Sequence, residues 1–311
     1  MSSLEVISLR KRYGSRTAVS NFGFIADSGK ITAIIGPDGA GKTTLMRACC
    51  GLIEFDGGTV KIMGHDIKHE LNLIKPVLGY MPQSFSLYQD LTVEENLFFY
   101  AGLYGVDKRE FEVKKKTIYD FSGLGQFSSR RAGALSGGMK QKLALGCAVI
   151  HDPKILILDE PTTGVDPLSR RQFWDILRKL KSEGATIVVS TAYMDEVSLS
   201  DKAVFMFEGV KLAEGIPADL IGKFRGGILE VQIAPTLEIM NRLAALDGLL
   251  AHRFGSSIHI TVSDDESLER HIMALAACGI ERSKIRAIKP GLEDLFIDLM
   301  NEVGDGIGRD R

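Results

Sequence analysis

Three short stretches carry residue types that do chemistry only in particular company. Gly36-Pro37-Asp38-Gly39-Ala40-Gly41-Lys42-Thr43 is a glycine-rich run ending in a lysine and a hydroxyl. Its glycines let backbone N–H groups close around a polyphosphate, Lys42 neutralises the outer phosphates, and Thr43 offers a hydroxyl to Mg²⁺. Ile155-Leu156-Ile157-Leu158-Asp159-Glu160 ends an apolar run with two carboxylates. Asp159 suits the shell of a magnesium ion, and Glu160 suits a base that polarises an attacking water. By itself such a run reads equally as a solvated strand end; the phosphate loop upstream favours the metal-and-base reading. Between them, Leu135-Ser136-Gly137-Gly138-Met139-Lys140-Gln141 opens a helix predicted over Met139 to Ile150. A helix N-terminus presents backbone donors to an anion. An ordinary serine cap explains the stretch in isolation, and its place ahead of the Asp-Glu strand is what singles it out.

A phosphate loop works between a strand and a helix. The β-rich run Lys30 to Ile35 leads into this one, and Lys42 to Gly51 reads as the helix that follows. An earlier β-rich run covers Leu4 to Leu9. Roughly Asp90 to Ala134 reads as helical, with Leu91, Val93, Leu97, Phe98 and Leu103 on an apolar face and Lys114-Lys115-Lys116 on the polar side. With its flanks this predicts a helical subdomain over about 84–152. A strand at Ile155 to Leu158, a helix over Leu168 to Glu183 and a strand at Thr186 to Ser190 alternate, which predicts a largely parallel sheet. The pattern breaks at Phe224-Arg225-Gly226-Gly227. Beyond it come a strand at Ile228 to Ile233, a helix over Thr236 to Leu246, strands at Leu250 to Phe254 and Ser257 to Val262, a helix over Glu266 to Cys278 and a strand at Ile285 to Ile288. That βαββαβ order is ferredoxin-like. A helix from Leu292 to Met300 closes it, before a glycine-containing tail, Gly304 to Arg311. The expected domains are an α/β phosphate-binding unit, 1–223, and a small α+β ferredoxin-like module, 224–311.

The 311 residues, 45% hydrophobic, are enough for a large core and a small one. Thirty-eight basic against 40 acidic residues give a net charge of −2, so no footprint for a nucleic-acid backbone is present in the totals. The four cysteines include no CxxC pair, which argues against a zinc ribbon or a disulfide framework. No apolar run approaches the roughly 18 residues of a membrane span, and the first residues lack the pattern of a secretory signal. These features predict a cytoplasmic location, with membrane association only through partners.

Together with Tyr80-Met81-Pro82-Gln83 and Val165-Asp166-Pro167, the three stretches resemble the ATP-binding-cassette (ABC) family, in that family's usual order and over about Leu4 to Leu220. The resemblance implies an ABC-type P-loop NTPase core with a helical subdomain, ATP and Mg²⁺ as ligands, and ATP hydrolysis as the activity. It implies that Tyr13 stacks on adenine and that Gly36, Pro37, Asp38, Gly39, Ala40, Gly41, Lys42, Thr43 and Thr44 hold the nucleotide. Glu160, Lys42 and Gln83 form the implied catalytic set, with Thr43, Gln83 and Asp159 around the metal. Two cassettes are expected to pair head to tail, Ser136, Gly137 and Gly138 of one closing on ATP held by the other, with Asp166 communicating across the dimer. Plain hydrophobic packing stays open for Tyr13.

Within that family, Asp90-Leu91-Thr92-Val93-Glu94-Glu95-Asn96-Leu97 and Pro290-Gly291-Leu292-Glu293-Asp294-Leu295-Phe296 resemble the drug-exporting branch, whose cassettes serve ABC-2 type transmembrane subunits at the inner face of the cell membrane. Simple amphipathic helices also explain both stretches. One position departs from the family. Similar cassettes read Ser-Thr-His after the last core strand, whereas this chain reads Ser190-Thr191-Ala192-Tyr193, and none of its six histidines lies between Asp152 and Ala251. The expectation is an ATPase subunit of an exporter for drugs or other hydrophobic compounds. The alternative is the regulatory half of a heterodimer, with weak hydrolysis at its own site because Ala192 replaces the histidine. A soluble non-transport ABC ATPase fits less well, since only one phosphate loop exists and Lys42 to Ser136 leaves no room for a coiled-coil insertion.

Overall fold

A computed structural model describes residues 2–244, 249–262 and 268–307. The chain separates into two compact units, Met1–Pro217 and Ala218–Arg311. In the first, β3 (Ile31–Ile35), β6 (Leu78–Met81), β7 (Ile155–Asp159), β8 (Thr186–Thr191), β9 (Lys202–Phe207) and β10 (Val210–Gly215) form one sheet, ordered β10-β9-β3-β8-β7-β6. Five strands run parallel, as the strand–helix alternation predicts. The edge strand β10 is antiparallel to β9. Only Glu208 and Gly209 separate the two, both with positive φ (47° and 80°), and such a two-residue turn makes a hairpin rather than a crossover. Strands β3, β7 and β8 are buried along their whole length. Ile34, Ile155, Ile157 and Val188 pack on one face with α1 (Lys42–Cys49), while Ala33, Leu156, Leu158 and Val189 pack on the other. Parallel sheets covered on both faces need this continuous apolar sequence.

A second, antiparallel sheet was not legible in the sequence. It joins β1 (Ser2–Tyr13), β2 (Arg16–Asp27), β4 (Gly57–Ile62) and β5 (His65–Asp66) in the order β2-β1-β4-β5. The β1–β2 register shifts between Val6 and Leu9 and again before Lys11. Each irregularity interrupts the apolar–polar alternation, which is why the sequence pattern ends at Leu9 while the strand continues to Tyr13.

The connecting helices are α2 (Leu71–Ile74), α3 (Val93–Leu103), α4 (Lys108–Ser122), α5 (Gly137–Val149), α6 (Pro167–Ser182) and α7 (Met194–Val197). Helix α3 starts at a reciprocal cap: Thr92 Oγ1 accepts from the Glu95 N–H at 3.1 Å, and Glu95 Oε2 accepts from the Thr92 N–H at 2.8 Å. Its buried stripe is Val93, Asn96, Leu97 and Ala101. Phe98 and Leu103, expected on that face, are 56% and 65% exposed. Phe98 falls one position off the 3.6-residue stripe, and Leu103 is the last residue of the helix. Lys114 lies on the polar side of α4, paired with Glu110 at 2.7 Å and Asp152 at 2.9 Å.

The second unit begins one residue into α8 (Pro217–Ile221), a few residues ahead of the break expected at 223/224. The Gly226-Gly227 signal marks the start of β11 (Gly227–Val231) instead. The order continues α9 (Leu237–Ala244), β12 (Leu250–Phe254), β13 (Ser257–Val262), α10 (Leu268–Ala277), β14 (Ile285–Ile288) and α11 (Leu292–Ile307). Its antiparallel sheet runs β12-β13-β11-β14, around a core that includes Leu229, Val231, Ile258, Ile260 and Leu275. Leu246 and Glu266, the expected ends of two helices, lie outside the described residues. Helix α11 passes Met300 and takes in Gly304 to Ile307 of the expected tail; 308–311 lie outside the described residues. Among the described residues no helix is long and apolar enough to cross a membrane.

Candidate functional site

The candidate site sits where β3, β6, β7 and β8 end, the edge at which open parallel sheets place ligands. Ile35, the last residue of β3, is level with Thr191 of β8, and the glycine loop leaves from there to open α1. A side chain at Gly36 would run into the Met206 carbonyl of β9, and one at Gly41 into the Ala18 carbonyl of β2. Gly41 also has φ of 106°, a backbone state that favours glycine. The loop is therefore wedged between two neighbouring strands in a fixed shape. Lys42 is 3% exposed, and its Nζ donates to the Gly36 and Pro37 carbonyls at 2.7 and 2.9 Å.

Strand register brings the remaining groups to the loop. Asp159 of β7 pairs in register with Ser190 of β8, and Ser190 Oγ donates to Asp159 Oδ1 at 2.7 Å. Thr43 Oγ1 donates to the same oxygen at 3.2 Å. Met81 of β6 is level with Leu158, so two residues further on Gln83 reaches Glu160, its Nε2 donating to Oε2 at 2.9 Å. Glu160 Oε1 is 2.9 Å from Lys42 Nζ. The Glu160 N–H donates to Ser190 Oγ at 2.9 Å, and its φ of 48° turns the chain sharply off the strand. Ser190 thus locks both carboxylate residues, a role not anticipated from sequence although the residue ends an apolar strand as Asp159 does.

Asp159 tests whether the site fits a metal. Its Oδ2 is buried with no hydrogen-bond partner among the described residues. Burial pushes its carboxyl above the usual range; hydrogen bonds from Ser190 and Thr43 act against this, and the nearby Glu160 charge adds to it. An unpaired buried carboxylate oxygen beside the Thr43 hydroxyl is an oxygen-only donor set of the kind Mg²⁺ takes. The residues fit the ion.

A cleft of about 470 Å³ opens over these groups, lined by Tyr13, Arg16, Ala18, Asp38, Gly39, Gly41, Lys42, Thr43, Thr44, Gln83 and Glu160. Tyr13 is half exposed at its mouth, with Lys11 Nζ 5.0 Å from the ring centroid. Arg16 and Ala18 were missed in the sequence reading; the β1–β2 hairpin pairs Tyr13 with Arg16 and so carries Arg16 to the loop. A larger cavity of about 670 Å³, lined by Glu110, Phe121, Asp152 and Leu180, contains none of the predicted site residues.

Other predicted residues lie outside the cleft. Ser136 caps α5, its Oγ accepting from the Met139 N–H at 3.4 Å. Gly138 faces α6 so closely that a Cβ would come within 2.7 Å of the Ser169 side chain. Asp166 caps α6, accepting from the Ser169 N–H at 2.9 Å; the Ser169 side chain first, and then its backbone N–H, hold the carboxyl below the usual range. Ala192 is exposed just after β8. Tyr193 does not reach the cleft; its ring lies 4.1 Å from the Arg170 guanidinium.

Residues 19–163 match the family model described as ABC transporter. The Nod factor export ATP-binding protein I of Rhizobium etli is 33% identical over 306 residues, covering 96% of this chain and 93% of its own. The chain belongs to the family of ABC transporter ATP-binding proteins. The probable multidrug ABC transporter ATP-binding protein YbhF of Escherichia coli is 38% identical to this cassette over 309 residues, 95% of the chain, and the chain spans about half, 52%, of that relative's length. A solved ATP-binding subunit of an ABC transporter, 30% identical, superposes on 72% of the cassette chain and 93% of its own with a TM-score of 0.66.

Proposed function

We propose that this cassette binds Mg²⁺-ATP in the cleft at Lys42 and uses its hydrolysis to drive an exporter whose ABC-2 type membrane subunits are separate chains, working from the cytoplasmic face of the membrane. The observation that carries the reading is the convergence of Lys42, Thr43, Gln83, Asp159 and Glu160 on one sheet edge. Thr43 and Asp159 would hold the ion, which when bound offsets charge on the phosphates. Lys42 donates to the outer phosphates after leaving its present carbonyl partners. Gln83 holds Glu160 in place, and Glu160 takes the proton of the attacking water. Ser136 and Gly137 are exposed at the start of α5, with Gly138 buried behind them against α6; the stretch would close the site of a second cassette, so the working unit is a dimer. A drug or other hydrophobic compound is the proposed cargo, in keeping with the probable multidrug transporter to which the Escherichia coli relative belongs. Lys42→Ala should reduce ATP turnover to background in the assembled transporter. A variant with unchanged ATP affinity and turnover would overturn the site assignment.

The exposed methyl of Ala192 favours a second reading, a heterodimer in which this chain's own site is slow. A methyl cannot donate to the γ-phosphate, and Tyr193 is engaged with Arg170. The partner's site, closed by Ser136 to Gly138 of this chain, would then carry most turnover. Loss of one preorganised donor costs on the order of 10²–10³ in rate. Ala192→His should therefore raise steady-state ATPase with the membrane partner present, and an unchanged rate would remove the reason for asymmetry.

A further inference from the structure

The second unit contains a cluster that the nucleotide cleft does not use. His252 on β12 and His259 on β13 are directly paired across the antiparallel ladder, so their side chains share one face of the sheet. Asp294, in the first turn of α11, meets that face. Its Oδ1 accepts from His259 Nδ1 at 2.7 Å and lies 3.2 Å from His252 Nε2, while Oδ2 accepts from the Gly291 N–H at 2.7 Å. His259 and Asp294 are 3% and 2% exposed, with His252 at the rim. Phe254 stacks on the His259 ring at 3.8 Å and fixes its plane.

As a hydrogen-bond network this cluster is incomplete. One carboxylate oxygen serves two imidazoles, and His252 Nδ1 is buried with no partner among the described residues. That nitrogen is on the far side of the ring from Nε2, so it is the grouping of the three facing atoms, not the unpartnered one, that suits an ion. The three facing atoms, two imidazole nitrogens and a carboxylate oxygen, all lie within 4.8 Å of one another, and they are ligand types that Zn²⁺ takes.

We propose that His252 Nε2, His259 Nδ1 and Asp294 Oδ1 form a Zn²⁺ site, with water as the fourth ligand. Tetrahedral bonds of about 2.0–2.2 Å put ligand atoms roughly 3.3 Å apart. The Asp294–His252 separation already meets this, and the Asp294–His259 pair opens by about half an ångström. With one carboxylate and two neutral imidazoles, the site exchanges a lone buried negative charge for a compensated one. Nitrogen ligands select Zn²⁺ over Mg²⁺, whereas the oxygen-only set at Asp159 and Thr43 does the reverse. Because the ligands come from β12, β13 and α11, the ion ties the closing helix to its sheet.

The test uses the full chain, stripped with a chelator and then titrated with Zn²⁺ by calorimetry and with Co²⁺ by visible absorption. Wild type should take up one ion at a four-coordinate site, and His252→Ala, a change at the rim, should bind at least about tenfold more weakly. Zn²⁺ should raise the melting temperature of wild type more than that of the variant. As a measure that needs no variant, Zn²⁺ should protect His252 of the wild-type chain from diethyl pyrocarbonate. No uptake by wild type, equal uptake by the two proteins, or unprotected His252 at saturating Zn²⁺ overturns the proposal.

Discussion

At the scale of single residues, the site depends on a few atoms whose partners are unequal. Asp159 Oδ1 accepts from two hydroxyls, while Oδ2 has no partner among the described residues and is the atom the proposed ion would take. Because burial raises its carboxyl above the usual range, the protonated form persists to higher pH than in a solvated aspartate. Metal binding needs the carboxylate, so Mg²⁺-dependent nucleotide affinity should fall as pH drops through that raised value, above the ordinary value of about 3.9. A fluorescent ATP analogue titrated with Mg²⁺ across pH measures this, and a midpoint at or below the ordinary value contradicts it. That Lys42, Thr43, Asp159 and Glu160 come together at one sheet edge was legible in the sequence, since a glycine loop after one buried strand and two acids at the end of another place them at the same end of a parallel sheet. Ser190 and Arg16 were not. Their roles come from lateral neighbours, β7 for one and the returning arm of a hairpin for the other, and linear spacing does not encode lateral neighbours.

At the scale of elements, register and caps do most of the positioning. The parallel strands with buried faces were legible because their apolar runs are continuous. Irregularities in β1 hide the antiparallel sheet, and Phe98 and Leu103 lie off the α3 stripe because apolar type does not fix which way a side chain faces. The Thr92 cap, by contrast, stands in the open: Thr92 to Glu95 is a capping-box spacing ahead of an apolar run. Thr92→Ala should lower the stability of the first unit by about 1 kcal/mol, read as a lower denaturation midpoint at unchanged slope. A shift of less than a third of that would show the box to be dispensable. Asp166 caps α6 as well, through the single bond from the Ser169 N–H, so a substitution meant to probe dimer communication there also loosens a helix start. Experiments on Asp166 need Asn alongside Ala, because Asn keeps the cap.

For the whole molecule, the first unit holds every group of the cleft, while the second has its own core and topology. The order of elements in the second unit was readable from pattern alone, but the division at Pro217 was not, since α8 carries no break in composition. The proposed dimer is the property most open to test. Glu160→Gln would remove the proposed base but keep a group of the same shape, so turnover should fall by roughly 10²–10⁴ while ATP holds two chains together on size exclusion. Monomers at saturating ATP, from a wild type that is itself homodimeric, would count against the arrangement. The Lys42–Glu160 contact at 2.9 Å gives that variant a further meaning. The loop's ammonium already holds an anion, supplied by the protein itself, where the proposed site would hold a phosphate. An incoming nucleotide must win an exchange of counter-ions before it gains anything, so its affinity is a difference between two pairings. If Glu160 is the base proposed above, the carboxylate that would meet the water is, at rest, the rival of its own substrate.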